Sequence, residues 1–286
     1  MRLPWTRELS AEDDFAGSLR VACERLGLSV MSYDGECVEV RGRRLNGRVA
    51  LDDLRARCSL LPRKEWEGVL LEALHALALA REARADLADL AVAGPALRAR
   101  VQSEGSVLAE DVVLAPLCAG LVEVLLVETE GALAPVPPSV AQGWGAPVPE
   151  LLLRGRVQSL AAEEPSVEPV DLGCDGVVAV QTSAPFAGSQ AFRLDRLLDL
   201  PEAGALVALP TRHLLLAAPL HTRTGTLDAA QALLTNAEPL WRQGPGGLSP
   251  DLFWLRDGAL VHLPGTPTSL SPPLGFVEVL ERLPPE

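Results

Sequence analysis

Eight basic side chains lie within 24 residues near the start of the chain, and they are the group best suited to bind a ligand. Only two acids, Asp52 and Asp53, interrupt them. An arginine guanidinium donates two parallel hydrogen bonds to one phosphate, so such a cluster can bind phosphate or nucleic acid. The same pattern arises when exposed cations on a sheet face balance the negative charge of the rest of the chain. The cluster comprises Arg41, Arg43, Arg44, Arg48, Arg55, Arg57, Arg63 and Lys64, and the first four are the candidate phosphate or nucleic-acid ligands.

Two side chains have the character of nucleophiles, although each lacks part of a known arrangement. Ser189 follows Gly188 as in the nucleophile elbow G-x-S-x-G, but the second glycine is missing. Cys118 lies near Glu123 with no neighbouring histidine in the sequence. Folding can bring distant partners together, so an unrecognised hydrolase stays open as an alternative. The sequence predicts no specific catalytic residue.

Histidines, cysteines and glycines give no sign of a metal or cofactor site. His213 and His221 stand eight residues apart on an extended segment, which separates them by about 26 Å. His75 has no second histidine at the HExxH spacing. The five cysteines are scattered without a CxxC pair, which predicts small buried thiols. The glycine-rich segment 244–247 carries no lysine and leads to a strand, so neither a phosphate-binding loop nor any cofactor or metal is predicted.

Length and charge limit the class of protein. The chain has 286 residues, enough for two domains, and a formal charge of −13. Residues 93–286 carry −11 of that charge, from 11 basic and 22 acidic side chains, whereas residues 1–92 carry −2. A polyanionic partner is therefore disfavoured, except through the N-terminal unit. No apolar run is long enough to span a bilayer and no secretion signal is present, so we expect a soluble, cytoplasmic protein without a membrane partner.

The segment 1–93 predicts a helix, a three-stranded meander and a further helical region. Apolar residues recur at helical spacing from Ala11 to Leu26. Three short runs follow, and the Asp34-Gly35 and Asn46-Gly47 pairs between them favour tight hairpin turns. Helical periodicity then runs from Asp52 to about Leu90, with a break at Leu61-Pro62.

Residues 94–286 predict a larger α+β domain with a mixed sheet, which begins at the boundary Ala93-Gly94-Pro95. Its centre is a buried β-hairpin at 205–220, in which two apolar runs flank a turn that contains Pro210. Leu252–Leu255 and Ala259–Leu263 predict a second hairpin. The proline-rich segment 134–149 and the acidic segment 163–173 are interpreted as loops. The C-terminal residues 284–286 are interpreted as frayed.

Several short strings follow one another at characteristic intervals along the chain. They are Leu51-Asp52-Asp53-Leu54, Gly143-Trp144-Gly145, Gly204-Ala205-Leu206-Val207-Ala208-Leu209-Pro210, Leu214-Leu215-Leu216-Ala217, Thr224-Gly225 and Phe253-Trp254-Leu255-Arg256-Asp257-Gly258-Ala259-Leu260. Their order and spacing resemble the YtpQ-like family of uncharacterised bacterial proteins. The prolines at 135–138 and the acidic segment 163–173 depart from the family's pattern. The resemblance implies a soluble α+β bacterial protein, and it carries over no activity and no catalytic residue.

The absence of a catalytic motif and the two helix-plus-sheet units together favour a non-enzymatic module. We expect a protein-binding or regulatory role, with another protein or a second copy of the chain as the partner. One alternative is a nucleic-acid or phosphate binder that uses the Arg41–Lys64 cluster. The other alternative is the unrecognised hydrolase.

Overall fold

The computed structural model describes residues 11–43, 45–59, 61–82, 87, 89–107, 112–129, 132–244 and 246–286. It contains helices and antiparallel sheets, which confirms the predicted α+β class and the predicted N-terminal helix and three-stranded meander. The chain divides into two compact units. Unit 1 comprises residues 1–86 and 128–134, and unit 2 comprises residues 87–127 and 135–286. The predicted boundary, between residues 93 and 94, lies a few residues after residue 86, where the first segment of unit 1 ends.

Unit 1 contains a helix, a meander and two further helices. Its helices are α1 (Ala11–Arg25), α2 (Asp52–Ser59) and α3 (Arg63–Glu82), and its strands are β1 (Ser29–Tyr33), β2 (Cys37–Arg41) and β3 (Asn46–Ala50). The strands are antiparallel, with β2 in the centre. The apolar faces of the helices and of the meander form one core, in which the fully buried side chains include Leu19, Ala22, Val38, Val40, Leu70 and Leu74.

One of the two predicted turns of the meander is confirmed. At the first turn, the Asp34 carboxylate accepts hydrogen bonds from the backbone N–H groups of Glu36 at 3.1 Å and Cys37 at 2.7 Å. Gly35 takes the left-handed conformation with φ of 94°, which a side chain disfavours. The Asp-Gly pair therefore turns the chain as its residue types predict.

The predicted turn at Asn46-Gly47 is wrong, because both residues lie inside β3. A two-residue turn there would pair Leu45 with Arg48. The observed register pairs Arg48 with Glu39 and brings buried Val49 opposite buried Val38. Burial of the apolar face therefore sets the register and overrides the local turn preference.

The first part of unit 2 is a small antiparallel sheet with a helix packed on it. Its strands are β4 (Leu97–Ser103), β5 (Leu114–Cys118), β6 (Leu121–Thr129) and β7 (Ala132–Pro135), and its helices are α4 (Leu90–Ala93), α5 (Pro138–Gly143) and α6 (Val148–Ala161). β6 pairs with the other three strands, and residues 128–134 belong to unit 1. Interpreting 134–149 as a loop is wrong. Pro138 and Pro149 each lie in the first turn of a helix, where no N–H partner is lost.

The second part of unit 2 is a six-stranded antiparallel sheet with the order β13-β12-β10-β11-β9-β8. Its strands are β8 (Ser166–Pro169), β9 (Val178–Gln181), β10 (Ala205–Thr211), β11 (Leu214–Pro219), β12 (Leu252–Arg256) and β13 (Ala259–Leu263). α7 (Leu194–Leu197), α8 (Arg223–Gln243) and α9 (Leu274–Arg282) complete the unit, together with the short pair β14 (Gly265–Thr266) and β15 (Ser269–Leu270). Both predicted hairpins are confirmed as β10–β11 and β12–β13.

Pro210 lies inside β10 and not in the turn, which corrects the prediction for the central hairpin. The pairing of β10 with β12 extends from Ala205 to Ala208, so Pro210 follows the last paired residue on that side. The register with β11 shifts between Ala208 and Thr211, so Pro210 occupies an irregular position. A proline is tolerated there because no ladder bond requires its missing N–H.

The acidic segment 163–173 is not a loop throughout, because it contains the edge strand β8. All four residues of β8 are exposed, which explains the absence of an apolar pattern. Val170 N–H donates to Val177 O on the inner side, so the nitrogen of Pro169 faces outward. A proline at this position suits an unpaired sheet edge, since it offers no donor to another strand.

The C-terminal residues are held and not frayed, in contrast to the prediction. The backbone N–H groups of Arg223 and Thr224, in the first turn of α8, donate to Pro284 O at 2.8 Å and Pro285 O at 3.3 Å. The first N–H groups of a helix have no acceptor within the helix, and the C-terminal carbonyls supply one. The Thr224 hydroxyl adds a hydrogen bond to Pro285 O at 2.8 Å.

Within the described residues, no helix combines the length and the apolarity required to cross a lipid bilayer.

Both faces of β11 are covered, which leads to a prediction about two neighbouring leucines. Leu215 and Leu216 point to opposite faces, and both are buried, with exposed fractions of 0% and 2%. We expect Leu215→Ala and Leu216→Ala each to lower the free energy of unfolding by about 2 to 5 kcal/mol. Urea denaturation measures this, with Leu153→Ala on the exposed side of α6 as the control. A small effect for one of the two would show that this face is poorly packed.

A second prediction concerns Glu163, whose carboxylate accepts hydrogen bonds from Ser183 N–H at 2.6 Å and Ala184 N–H at 2.9 Å. Burial raises the pKa of Glu163, but the two N–H donors outweigh burial and leave the pKa below its usual value. Stability from this group is therefore present above the unfolded-state pKa of about 4.3 and is lost as the pH falls through the folded-state pKa. We expect Glu163→Gln to lower the free energy of unfolding by about 1 kcal/mol at pH 7. The difference from the wild type should shrink below about pH 4 in urea titrations.

Candidate functional site

The candidate arginines on the meander lie on its outer face, where acids alternate with them. Arg41 is exposed on β2, and Arg48 is exposed on β3. Glu39 pairs with Arg48 across the strands and lies two residues before Arg41 on the same face of β2. The Arg48 guanidinium donates to the Asp34 carboxylate at 2.7 Å. Hydrogen bonding from Cys37 N–H, followed by smaller contributions that include the charge of Arg48, lowers the pKa of Asp34. Arg43 is exposed beyond β2, and Arg44 lies outside the described residues.

Several other members of the basic cluster interact inside unit 1. Arg55 donates to the Tyr33 hydroxyl, and its guanidinium lies 4.7 Å from the centre of the Phe15 ring. Arg63 pairs with the Asp14 carboxylate. Lys64 is exposed, and the side chain of Arg57 lies outside the described part of the structure. The described members of the cluster therefore lie in different places. Arg41 and Arg48 are on the outer face of the meander, Arg55 is within α2, and Arg63 and Lys64 are in the first turn of α3.

Ser189 serves a structural purpose. It is fully buried in the 3₁₀ turn Gly188–Arg193, and its hydroxyl donates to Ala99 O at 3.4 Å. Ala99 N–H in turn donates to the Ser159 hydroxyl of α6 at 2.9 Å. Two buried serines therefore satisfy the outward-facing backbone groups of the edge strand β4.

Cys118 is held as a thiol and not as a thiolate. Burial raises its pKa to about 11, with a smaller contribution from the negative charge of Asp251. Glu123, the carboxylate near it in sequence, is 1% exposed, and both its oxygens accept hydrogen bonds from Arg156 at 2.7 Å. The Arg156 guanidinium also stacks 3.8 Å from the centre of the Phe192 ring. Glu123 is therefore engaged by Arg156 and does not act as a base for the thiol.

Ser249, Asp251 and His262 form a further polar group that no sequence pattern indicates. The Ser249 hydroxyl donates to the Asp251 carboxylate at 2.9 Å, and His262 Nε2 lies 3.8 Å from the other carboxylate oxygen. A hydrolytic triad requires the serine to donate to the histidine. In this group the serine donates to the aspartate, so the arrangement does not activate the hydroxyl.

A cavity in unit 2 has a volume of about 320 Å³ and lies where β10 begins and β11 and β12 end. Its apolar walls are Ala203, Leu220, Val279 and Leu283, and its charged or ionisable side chains are Glu202, His221, Arg256 and Arg282. None of the described residues that line it carries a hydroxyl or a thiol. These side chains come from three strand ends and from α9, so folding alone brings them together.

Backbone contacts fix the shape of this cavity. Gly204 has a φ of 84°, and a Cβ atom at this position would overlap the carbonyl oxygen of Leu255. The Trp254 indole donates to Ala203 O at 2.8 Å, and its ring meets the fully buried Phe276 ring edge-on at 5.4 Å. Phe276 therefore anchors α9 against the sheet, and α9 supplies one wall.

The two arginines of the cavity make only loose ion pairs. Arg282 lies 3.9 Å from the Glu278 carboxylate, and the side chains are 76% and 54% exposed. Arg256 Nε lies 3.5 Å from the carboxylate of Asp257, which is 89% exposed. Arg256 Nε is buried and has no hydrogen-bond partner among the described residues. Exposed pairs of this kind contribute about 0 to 1 kcal/mol, so both guanidinium groups can accept another anion.

Comparison of the chain with protein-family models, with curated proteins and with solved structures finds no match. The resemblance to the YtpQ-like family therefore stays a prediction. Among the described residues, no group of three or more histidines, cysteines, aspartates and glutamates is placed to hold a metal ion.

The state of Cys118 leads to a prediction about its reactivity. A thiol with a pKa of about 11 has roughly 100-fold less thiolate at pH 8 than a free cysteine of pKa about 8.5. We expect iodoacetamide to alkylate Cys118 on the order of 100 times more slowly than it alkylates glutathione. Mass spectrometry of the Cys118 peptide in the folded protein measures the rate. A rate close to that of glutathione would contradict the raised pKa of Cys118.

Proposed function

We propose that this protein is a soluble, cytoplasmic, non-enzymatic module that binds another protein. The observation that carries the proposal is the cavity in unit 2. It combines apolar walls with two guanidinium groups, and no hydroxyl or thiol is found among its described lining residues. Such a surface recognises a ligand through apolar contact and charge, and it offers no hydroxyl or thiol nucleophile.

The states of the candidate nucleophiles support the same proposal. Ser189 and Ser249 use their hydroxyls in hydrogen bonds to Ala99 O and to the Asp251 carboxylate. Cys118 keeps its proton, because burial raises its pKa to about 11. These groups hold the fold together, which favours a binding role over the hydrolase alternative.

Cytoplasmic location and membership of the YtpQ-like family are parts of the same proposal. The five cysteines, all within the described residues, form no disulfide with one another, as expected in a reducing compartment. The family resemblance found in the sequence implies a bacterial source. Neither point names a partner.

The test is affinity capture from the native cells with quantitative mass spectrometry. We expect one or a few proteins to be enriched with the wild type and depleted at least tenfold with Arg282→Glu. Arg242→Glu is the matched control, because Arg242 is also an exposed arginine that pairs with a glutamate one helical turn away. Absence of a reproducible partner, combined with turnover in a broad hydrolase screen, would overturn the proposal in favour of an enzyme.

The nucleic-acid alternative has its own test. Glu39 and Asp34 lie beside Arg41 and Arg48, so we expect no micromolar binding of DNA or RNA at about 150 mM salt. Fluorescence anisotropy with labelled duplex and single strands measures this. Micromolar binding that is lost in the triple variant Arg41→Glu, Arg43→Glu, Arg48→Glu would instead establish the arginine face as a nucleic-acid site.

A further inference from the structure

We infer that the cavity in unit 2 binds a single carboxylate that carries an apolar substituent. This inference rests on the proposed binding role and names the chemical group that is recognised. The two sources of such a group are the C-terminal residue of a partner polypeptide and a small free carboxylic acid.

The charges around the cavity limit how much negative charge a ligand can carry. Arg256 and Arg282 are its permanent cations, and His221 adds a ring that gains a positive charge when it is protonated. Three acids oppose them, namely Glu202 in the lining and Asp257 and Glu278 at its edge. The three acids outnumber the two permanent cations by one, so every negative charge on the ligand adds repulsion, and a ligand with one charge meets less of it than a dianion. A carboxylate is therefore favoured over a phosphate dianion.

Arg256 is the cation that can hold the carboxylate, because its side chain lines the cavity and is 33% exposed. Its Nε is buried and lies 3.5 Å from the Asp257 carboxylate, so the terminal nitrogens of the guanidinium are the donors left for a ligand. The guanidinium lies 5.6 Å from the centre of the Trp254 ring, which restricts its orientation. A ligand carboxylate can accept from Arg256 in the two-bond geometry that arginine favours, and Arg282 lines the same cavity.

The walls account for the apolar substituent. Ala203, Leu220, Val279 and Leu283 line a volume of about 320 Å³, which is room for on the order of ten water-sized groups at about 30 Å³ each. An inorganic anion would leave these side chains without contacts, whereas a leucine-sized substituent would cover them. Since Trp254 and Phe276 already fix the walls, little ordering accompanies binding.

The experiment titrates four probes into the full chain, followed by calorimetry and by amide NMR shifts of Ala203, Leu220 and Leu283. N-acetyl-L-leucine mimics a C-terminal residue. Its C-terminal amide, N-acetyl-L-leucinamide, has the same shape but no negative charge. Hexanoate represents a free acid, and inorganic phosphate represents a small polyanion. We expect a Kd of about 1 mM for at least one of the two acids, as is usual for ligands of this size. The amide and phosphate should bind at least tenfold more weakly.

Variants connect the binding to the two arginines. Arg282→Gln should weaken binding of the acids at least tenfold. Arg282 is exposed, so we expect this variant to fold as the wild type does. Arg256→Lys keeps the charge but removes the planar guanidinium group that donates two parallel hydrogen bonds. It should also weaken binding of the acids. Arg242→Gln, on α8, should bind as the wild type does. Equal binding of acid and amide, tighter binding of phosphate, or wild-type affinity in Arg282→Gln would each overturn the inference.

The outcomes also separate this inference from the proposed function. Stronger binding of N-acetyl-L-leucine than of hexanoate identifies a polypeptide C-terminus as the source, and the opposite order identifies a free acid. If the acids bind in this way while affinity capture recovers no partner, the cavity assignment stands and the protein-binding proposal fails. If a partner is captured equally by the wild type and by Arg282→Glu, and the acids do not bind, the partner docks elsewhere and the cavity assignment fails.

Discussion

Complete burial of strand β10 is the constraint on which the architecture of unit 2 depends. All seven of its residues, from Ala205 to Thr211, are buried. β11 and β12 pair with its two edges, and α8 packs against all three strands. A strand enclosed in this way has one favourable register, because a shift by one residue would exchange its two faces. Its start is thereby fixed, and the cavity forms where it meets the ends of β11 and β12.

Polar side chains in unit 2 are used mainly to complete this packing. Glu123 is almost fully buried, and a carboxylate in that position requires the two hydrogen bonds that Arg156 supplies. Gly155 brings α6 close to β4, because a Cβ atom there would lie 2.8 Å from the carbonyl carbon of Arg98. At that short separation Ser159 reaches the backbone of Ala99. Hydroxyl and carboxylate groups that resemble catalytic parts in the sequence thus fill structural needs.

The cavity differs from its surroundings in charge. Residues 93–286 hold twice as many acidic as basic side chains, yet two arginines line this one volume. The nearby acids Asp257 and Glu278 are largely exposed, so water screens their attraction for the guanidinium groups. The carboxylate that we propose for the cavity would be less screened than these exposed acids. We expect the acidic remainder of the unit to repel polyanions.

The elements whose signals are local follow from the sequence alone. Helical spacing predicted α1 and α3, and short apolar runs predicted the hairpins β10–β11 and β12–β13, because the residues that create each pattern are neighbours in the chain. Tertiary structure alone decided the register at Asn46, the place of Pro210 inside a strand, and the meeting of His221, Arg256 and Arg282. These outcomes depend on burial and on pairing between segments far apart in sequence, which no local pattern encodes.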